Sequence, residues 1–372
     1  MLSFFKSIYS IIKINKLNSI WKKRVFFSEN ESYSSHLRPL VNEFLKNRKK
    51  ILYVTSQIND PIFNIKDENL TALYISPVLG QILFFNFLNC EKLFLTMPDI
   101  NNFHLKKSKN CKSYIYIFHS PVSTNMIYRD KAFFNYDEYL CVGNHHIEEL
   151  SEYIEKYSLK NKKLHKTGYF KLDEIYKNKN SVNMIKKKKI LIAPSWGKIN
   201  IINLCGEKLI SKLLESNYEV ILRPHIQSLK YDGKLLKIIE NNFKNFHKFK
   251  IQKENFSFND FETCEFLITD WSGIGMEYAF AFERPVIYIN TPKKIMNKNF
   301  NDISTVPLED KIRDKIGLII EPEQIENITS IMNCTDVNDQ SFKNAIIKCR
   351  EKFIYNFKNS ALEAYKLFAG QN

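Results

Sequence analysis

The stretch FLITDWSGIGMEYAFAFERPVIYIN, residues 266–290, decides the fold. Its first four residues form an apolar run, typical of a buried strand, that ends at Asp270. Ser272 and Gly273 then open a helical pattern, and a second apolar run, PVIYIN, follows the helix. A strand, a helix and a second strand in this order predict a βαβ unit with parallel strands.

The same rhythm extends over the rest of the chain. Helical patterns fall at about 78–89, 123–134, 144–158, 204–216, 228–244 and 272–282, and one long helical pattern runs from about 339 to the C-terminus. The strand candidates are ILYVTS (51–56), ALYIS (72–76), KLFLTM (92–97), SYIYIF (113–118), EYLCVG (138–143), KLHKTGY (163–169), ILIAPS (190–195), EVILRPH (219–225), FKIQKE (249–254), EFLITD (265–270), PVIYIN (285–290) and GLII (317–320).

These patterns predict an α/β protein with two Rossmann-like, doubly wound domains that face a cleft, the glycosyltransferase-B arrangement. A polar, lysine-rich stretch at 176–189 is interpreted as the connection between them. The predicted segments are a basic amphipathic segment (1–30), an N-terminal domain (31–180), a C-terminal domain (187–338) and a closing C-terminal helix (339–372). Ligands in such sheets bind beyond the carboxyl ends of the strands, so strand ends are the places to look for chemistry.

Charge favours an anionic partner. The chain has 372 residues, with 55 Lys+Arg against 40 Asp+Glu, a formal net charge of +15. Nucleic acid, a phospholipid surface and a phosphorylated substrate all fit this balance, although no nucleic-acid-binding module is recognisable. The abundance of Lys, Asn and Ile also fits compositional drift. Seven scattered cysteines without a C-x-x-C pair predict reduced thiols in a cytoplasmic protein.

The N-terminus predicts a basic amphipathic helix. Residues 1–24 carry six positive charges and no acid, and their apolar side chains recur near helical spacing. Such a helix either lies in a membrane interface or packs on the first domain and shows its lysines to water. No window reaches the roughly 20 uninterrupted apolar residues of a spanning helix, so the protein is expected to be soluble or peripheral.

Four strand-end segments carry candidate site residues. The start of the helix after Asp270, at Ser272 and Gly273, is suited to a phosphate, because helix N-terminal N–H groups bind anions. Arg223 can bind phosphate oxygens in a bidentate manner, and His225 can donate a hydrogen bond or a proton to a leaving phosphate. The alternatives are plain helix capping, a structural arginine–carboxylate pair and a core histidine.

The other two segments are FHSP (118–121) and APSWG (193–197). A histidine that faces a cleft, here His119, is the usual general base near neutral pH, although a lone histidine is more often structural. Ser195 lies at the end of the first strand of the second domain, where its hydroxyl can touch a nucleotide or phosphate.

Together these segments resemble the CDP-glycerol glycerophosphotransferase family, whose members build teichoic-acid-like and capsular polyol-phosphate polymers. The matching elements are His119, GYFKLD (168–173), APSW (193–196), RPH (223–225) and TDWSGIGMEYAFAFERP (269–285), in the same order and spacing over about residues 113–290. The chain departs from the family pattern at four positions. Ser120 stands where glycine is usual after the histidine, and Ile226 follows RPH where proline is common. In the Thr-Asp-Tyr-Ser-Ser segment, Trp271 replaces the tyrosine and Gly273 the second serine.

The resemblance implies transfer of a polyol phosphate, by analogy glycerol phosphate, from a CDP-activated donor to an acceptor hydroxyl, with release of CMP. His119 would be the base of an acceptor-side first domain. Arg223, His225, Ser272 and Gly273 would bind the pyrophosphate in a donor-binding second domain, together with Ser195. Asp270 would orient His225 or a donor hydroxyl, and Glu277 would reach the nucleotide ribose.

The implied acceptor is a lipid-linked or polysaccharide hydroxyl at the cytoplasmic face of the bacterial plasma membrane. No carboxylate cluster in the sequence dictates a metal, and loosely held Mg²⁺ stays open. Two other functions stay open as well: a glycosyltransferase that uses a nucleotide sugar on the same fold, and a non-catalytic membrane-bound scaffold.

Overall fold

The computed structural model describes residues 2–179, 185–253 and 258–370. These residues build two sheets of parallel strands with helices on their faces, as the alternating sequence pattern predicts. In both sheets the strand order reverses beside the strand that comes first in the chain, which creates the crevice where doubly wound sheets bind ligands.

The first sheet and its helices occupy the first half of the chain. Its strands are β1 (Arg24–Ser28), β2 (Ile51–Thr55), β3 (Leu70–Tyr74), β4 (Cys90–Leu95), β5 (Cys111–Ile117), β6 (Glu138–Cys141) and β7 (Lys163–Lys166). Its helices are α1 (Leu2–Lys16), α2 (Ser19–Lys22), α3 (Glu31–Lys46), α4 (Leu79–Phe87), α5 (Asn144–Lys156) and α6 (Phe170–Asn178).

The second sheet consists of β8 (Lys186–Ile192), β9 (Glu219–Leu222), β10 (Phe249–Ile251), β11 (Cys264–Thr269), β12 (Val286–Ile289) and β13 (Gly317–Ile320). The helices around it are α7 (Ile201–Glu215), α8 (Ile226–Tyr231), α9 (Gly233–Phe243), α10 (Phe258–Thr263), α11 (Ile274–Phe282), α12 (Leu308–Ile316) and α13 (Ile328–Asn333). Two more helices, α14 (Gln340–Phe353) and α15 (Ser360–Ala369), follow. The strands of the first sheet lie in the order β3-β2-β1-β4-β5-β6-β7, and those of the second in the order β10-β9-β8-β11-β12-β13.

Every predicted strand overlaps an observed one. The elements without a counterpart in the prediction are β1 and the helices α3, α6, α10, α12 and α13. β1 pairs with β2 and β4 in the middle of the first sheet, so the predicted N-terminal segment (1–30) reaches into the core of that sheet. Residues 180–184, in the middle of the predicted 176–189 connection, lie outside the described residues, as do Glu254 of the predicted strand at 249–254 and residues 371–372 of the predicted C-terminal helix.

The helix predicted at 123–134 is wrong, because these residues, all of them described, form turns. Their backbone N–H groups bind distant carboxylates instead of a helical ladder. The N–H of Ser123 donates to Glu309, and that of Thr124 donates to Glu149 at 2.5 Å. Residues 121–126 are buried throughout, so the apolar spacing that suggested one helical face reflects burial on all sides.

The single long C-terminal helix is also wrong, since residues 354–359 separate α14 from α15. α14 packs on α12 and α11 of the second half, whereas α15 packs on α3 of the first half. The GYFKLD segment (168–173) contacts the residues that connect α14 to α15. The Asp173 carboxylate accepts hydrogen bonds from the N–H groups of Lys358 and Ser360, at 2.7 and 2.8 Å. Gly168 has a φ of +101°, and any side chain there would clash with the Tyr355 carbonyl.

Helix α1 packs on the first domain through the face that carries Ser7 and Ser10. The Ser7 hydroxyl accepts from the Ser76 N–H at 2.7 Å, and the Ser10 hydroxyl donates to the Tyr74 carbonyl at 2.6 Å. A Cβ atom at Gly80 would lie 2.8 Å from the Ser7 Oγ, so the glycine permits this close approach. None of the described helices is both long and apolar enough to cross a bilayer.

Candidate active site

Two strand-end loops bring the halves of the chain together. The loop after β5 carries His119 and Ser120, and the loop after β11 leads into α11 through Gly273. A Cβ atom at Gly273 would clash with the Ser120 Oγ and would lie 3.2 Å from Pro121 Cδ. Glycine at 273 is therefore what allows the start of α11 to touch the loop of His119.

The His119 ring is fixed by the backbone of the first domain. Its Nδ1 lies 3.0 Å from the Thr96 carbonyl oxygen, which can only accept, so we assign the hydrogen to Nδ1. The lone pair then lies on Nε2, 3.4 Å from the Tyr128 hydroxyl. Burial lowers the pKa of His119 to about 4; the Thr96 hydrogen bond opposes this shift and the positive charge of Lys171 adds to it. The imidazole is therefore neutral at physiological pH.

His225 has the opposite tautomer. Its Nδ1 accepts a hydrogen bond from the Gln227 N–H at 3.1 Å, at the start of α8, which places the ring hydrogen on Nε2. Burial, together with the charges of Lys294, His119 and Lys171, lowers its pKa to about 3. The site thus contains one neutral histidine that can accept a proton and one that can donate a hydrogen bond.

Asp270 fixes the loops at the switch point of the second sheet. Its Oδ1 accepts from the N–H groups of Ser195 and Trp271, each at 2.8 Å, and its Oδ2 accepts from that of Ile201 at 3.3 Å. The carboxylate is fully buried, and burial raises its pKa while these hydrogen bonds oppose the shift. Asp270 makes no hydrogen bond to His225 in the structure. Its carboxylate instead joins the Ser195 loop to the end of β11.

Arg223, which follows β9, contacts neighbouring residues of the second domain. Its Nε donates to the Gln252 Oε1 at 2.8 Å, its Nη2 lies 3.9 Å from Asp260 Oδ2, and its guanidinium carbon lies 5.2 Å from the centre of the Phe261 ring. Burial lowers its pKa, and the charge of Asp260 opposes this shift. These contacts join β9 to α10, which favours the structural alternative for Arg223 more than the sequence did.

Glu277 pairs with the first domain. Its carboxylate lies 2.8 Å from the Lys171 Nζ and 2.6 Å from the Tyr169 hydroxyl, and that hydroxyl also lies 3.0 Å from the His119 carbonyl oxygen. Ser272 caps α11 only weakly, since its Oγ is 3.5 Å from the Ile274 N–H. The Tyr169 hydroxyl therefore links the ion pair between α6 and α11 to the backbone of His119.

The sequence reasoning missed Thr96, Lys171 and Lys294. Thr96 acts through its backbone carbonyl, which no side-chain pattern reveals. Lys171 lies inside the GYFKLD segment, so that motif was its only signal. Lys294, in the loop after β12, lies with its Nζ 4.1 Å from the centre of the Trp196 ring, and the Trp196 ring stacks on that of His225 with centres 6.1 Å apart.

Possible metal sites and cavities indicate where a ligand could bind. Among the described residues, no three His, Cys, Asp or Glu side chains are grouped so as to hold a metal ion. A cavity of about 800 Å³ lies at the amino ends of the strands of the second sheet, beside Lys188 and Tyr218. His119 and His225 lie at the carboxyl ends of strands instead. Another, of about 570 Å³, lies beside Trp271 and Lys293, where β11 and β12 end.

Comparison with known families bears on the chemistry. The sequence model described as CDP-glycerol:poly(glycerophosphate) glycerophosphotransferase matches residues 119–299, which begin at His119 and include His225, Asp270 and Glu277. This match confirms the resemblance seen in the sequence and indicates a CDP-glycerol glycerophosphotransferase-like enzyme. No curated protein matches the chain in sequence.

Comparison with solved structures confirms the fold. A variant of the wall teichoic acid polymerase TagF, soaked with CDPG, is 14% identical with a TM-score of 0.58 and covers 99% of this chain and 92% of its own. The UDP-GlcNAc 2-epimerase from Neisseria meningitidis, bound to UDP-GlcNAc, is 12% identical with a TM-score of 0.61 and covers 93% of this chain and 99% of its own. At these identities the likeness concerns the two-domain glycosyltransferase-B fold alone.

Proposed function

We propose that this glycerophosphotransferase-like enzyme transfers glycerol phosphate, or a related polyol phosphate, from a CDP-activated donor to a hydroxyl of a lipid-linked or polysaccharide acceptor. The family match supports the donor and the reaction type. The observation that carries the mechanism is the pair of neutral histidines with opposite tautomers, His119 and His225, at the facing strand ends. One is set to take a proton and the other to hydrogen-bond a leaving oxygen.

In the proposed reaction, the acceptor hydroxyl gives its proton to His119 Nε2 while its oxygen forms a bond to the phosphorus that carries glycerol. The bond from that phosphorus to the bridging oxygen breaks, and its electron pair leaves with CMP. His225 Nε2–H and the start of α11 at Ser272 and Gly273 stabilise the charge that gathers on the departing phosphate. General-base assistance of this kind contributes typically ~10²–10⁴ in rate.

The remaining predicted residues act by positioning in this proposal. Asp270 sets the Ser195 loop, and the Ser195 side chain then lies at the end of β8 beside the donor. Glu277, through Lys171, sets the distance between the domains, although the ribose contact expected from the resemblance stays a proposal. Arg223 stabilises β9, the strand that precedes His225, and adds positive electrostatic potential at the phosphate site.

Turnover assays test the reaction. Purified protein is mixed with CDP-glycerol, CDP-ribitol or UDP-sugars and with a polyol-phosphate or lipid-linked acceptor analogue, and release of CMP or UDP is measured. We expect CMP release with a CDP-polyol, and its loss in a His119→Ala variant. UDP release from a UDP-sugar would instead support a glycosyltransferase. Absence of turnover with every donor would support the scaffold hypothesis.

We also propose that the enzyme binds the cytoplasmic face of the bacterial plasma membrane through α1 and α4. Phe5, Tyr9 and Ile12 form a stripe on α1, and Leu79 and Phe87 lie on α4, which packs beside α1. These side chains are between 49% and 66% exposed, although exposed apolar groups of this size normally avoid water. Exposed lysines on α1 and the absence of acids from residues 1–24 favour an anionic lipid surface.

Flotation with anionic liposomes tests this surface. Deletion of residues 1–24 would also remove Arg24 of β1, so substitutions are the cleaner change. The triple variant Phe5→Ser, Tyr9→Ser, Ile12→Ser should lose flotation at high salt, when electrostatic attraction is screened. A control with Ile238→Ser and Phe246→Ser, which are exposed on the second domain, should float like wild type. If the triple variant floats as well as the control, the membrane surface lies elsewhere.

A further inference from the structure

A lysine in the loop after β12 has no counter-ion among the residues that the structure describes. Lys294 follows β12, and its Cε approaches to 3.8 Å of the position that a Cβ atom would take at Gly197. Its Nζ lies over the Trp196 ring, which in turn stacks on His225. Lys294, Trp196 and His225 therefore form one layered group at the carboxyl ends of β12, β8 and β9.

Across residues 2–179, 185–253 and 258–370, the structure gives the Lys294 ammonium no ion pair and no hydrogen bond. Burial lowers its pKa to about 8, and the negative charge of Asp270 opposes this shift. Asp270 does not serve as a direct partner, because its two oxygens accept backbone N–H groups from three residues. The adjacent Lys293 differs, since its Nζ lies 2.5 Å from Asp310 Oδ2.

A partly desolvated cation without a counter-ion is unfavourable unless a ligand supplies the charge. An ammonium group is a compact point charge that suits phosphate oxygens, and Lys294 is close enough to His225 for its charge to lower the pKa of that ring. A phosphate bound here would compensate the ammonium charge. An uncharged sugar or base would leave the ammonium uncompensated.

We infer that Lys294 binds the phosphate group that departs as CMP, with the Trp196 ring as the support that holds the lysine in place. This inference rests on the proposed transfer from a CDP-activated donor. When the bond between the transferred phosphorus and the bridging oxygen breaks, the CMP phosphate gains one negative charge. Lys294 neutralises that charge without giving up a proton, while the acceptor proton goes to His119.

Calorimetric titration of wild type and Lys294→Met with CMP, cytidine and inorganic pyrophosphate tests the inference. Loss of a charge-assisted contact should weaken CMP and pyrophosphate roughly 10- to 100-fold and leave cytidine unchanged. Lys294→Arg should retain most of the affinity. Lys293→Met is the matched control, because its side chain is paired with Asp310, and it should bind like wild type.

The outcomes separate the inference from the reaction on which it rests. Unchanged CMP and pyrophosphate affinity in folded Lys294→Met would overturn the role of Lys294, and so would an equal loss for CMP and cytidine, which would point to a collapsed Trp196 support. If wild type binds pyrophosphate through Lys294 but neither binds CMP nor turns over CDP-glycerol, the phosphate site stands and the proposed donor fails.

Discussion

Replacing Gly273 with serine tests the contact between the two domains and two of the departures from the family pattern. The family usually has glycine after the first-domain histidine and serine at the position of Gly273, whereas this chain has Ser120 and Gly273. The two residues touch in the structure. The glycine therefore lies on the second-domain side of the contact in this chain and on the first-domain side in the family pattern. This exchange is expected if the contact has room for only one hydroxymethyl group.

The size of the effect follows from the neighbours. The backbone of Gly273 has φ −60° and ψ −15°, which serine adopts readily, so no backbone strain is added. The new Cβ would clash with the Ser120 Oγ and would lie 3.1 Å from Val122 Cγ1. Overpacking of this kind costs about 1–3 kcal/mol. Adding Ser120→Gly removes the closest clash, and the coupling between the two changes should be about 0.5–3 kcal/mol.

Thermal unfolding and turnover are measured for wild type, both single variants and the double variant. Gly273→Ser should lower the Tm and turnover, and the double variant should recover much of both. Gly233→Ser is the control for the glycine-to-serine change, since a Cβ there meets nothing within 4 Å. If the double variant is no better than Gly273→Ser, the two loops do not touch in the way described.

Three further variants test other parts of the site. His119→Ala should reduce turnover at least ~10²-fold with CMP affinity nearly intact, which steady-state kinetics and calorimetry would establish; a loss of only a few-fold would exclude a general base. Arg223→Ala removes the hydrogen bond to Gln252 and one of the cations near Asp260, which keeps its pair with Lys189, so the free energy of unfolding should fall by about 1.5–3 kcal/mol. An unchanged Tm with much weaker CMP binding would instead make Arg223 a direct phosphate ligand. Burial raises the pKa of Glu309 from 4.5 to about 8, so the folded state keeps a proton that the unfolded chain releases, and stability is lost as pH rises from about 4.5 to 8. Glu309→Gln should therefore raise the Tm more at pH 8.5 than at pH 5, and an equal effect at both would place the proton elsewhere.

The strands were predictable because buried apolar runs end in Gly, Pro, Asp or Ser along most of this chain. β1 escaped prediction because its apolar run, VFF, is only three residues long and directly follows a lysine-rich helical pattern, so it was included in the predicted segment 1–30. The turns at 123–134 escaped because carboxylates 25 and 186 residues away accept their backbone N–H groups. Local patterns carry no information about such partners.

At the site, the sequence identified side chains but not their directions. His119 and His225 occupy the facing strand ends, as expected, and both have a ring nitrogen held by the backbone of a neighbouring element. Asp270 and Arg223 also follow strands, yet they bind inward, to backbone amides and to Gln252. Whether a strand-end side chain faces the cleft or the interior depends on the loop that follows it, which a motif alone does not specify.

The electrostatics of the site predict that the donor activates the base. With no donor bound, the charge of Lys171 acts on both His119 and His225, and Lys294 adds to the effect on His225; all lower the pKa of a ring. Burial is the main cause that lowers the pKa of His119 from the usual 6.5 to about 4, which corresponds to roughly 3 kcal/mol against its protonation. His119 is therefore a weak base in the free enzyme. The pyrophosphate of a donor brings negative charge to the same place and should raise the pKa of His119. The acid limb of kcat, which reports the complex, should then lie at a higher pH than that of kcat/KM for the donor, which reports the free enzyme. If the two limbs coincide near pH 4, the donor charge does not reach His119, and the base works without this assistance.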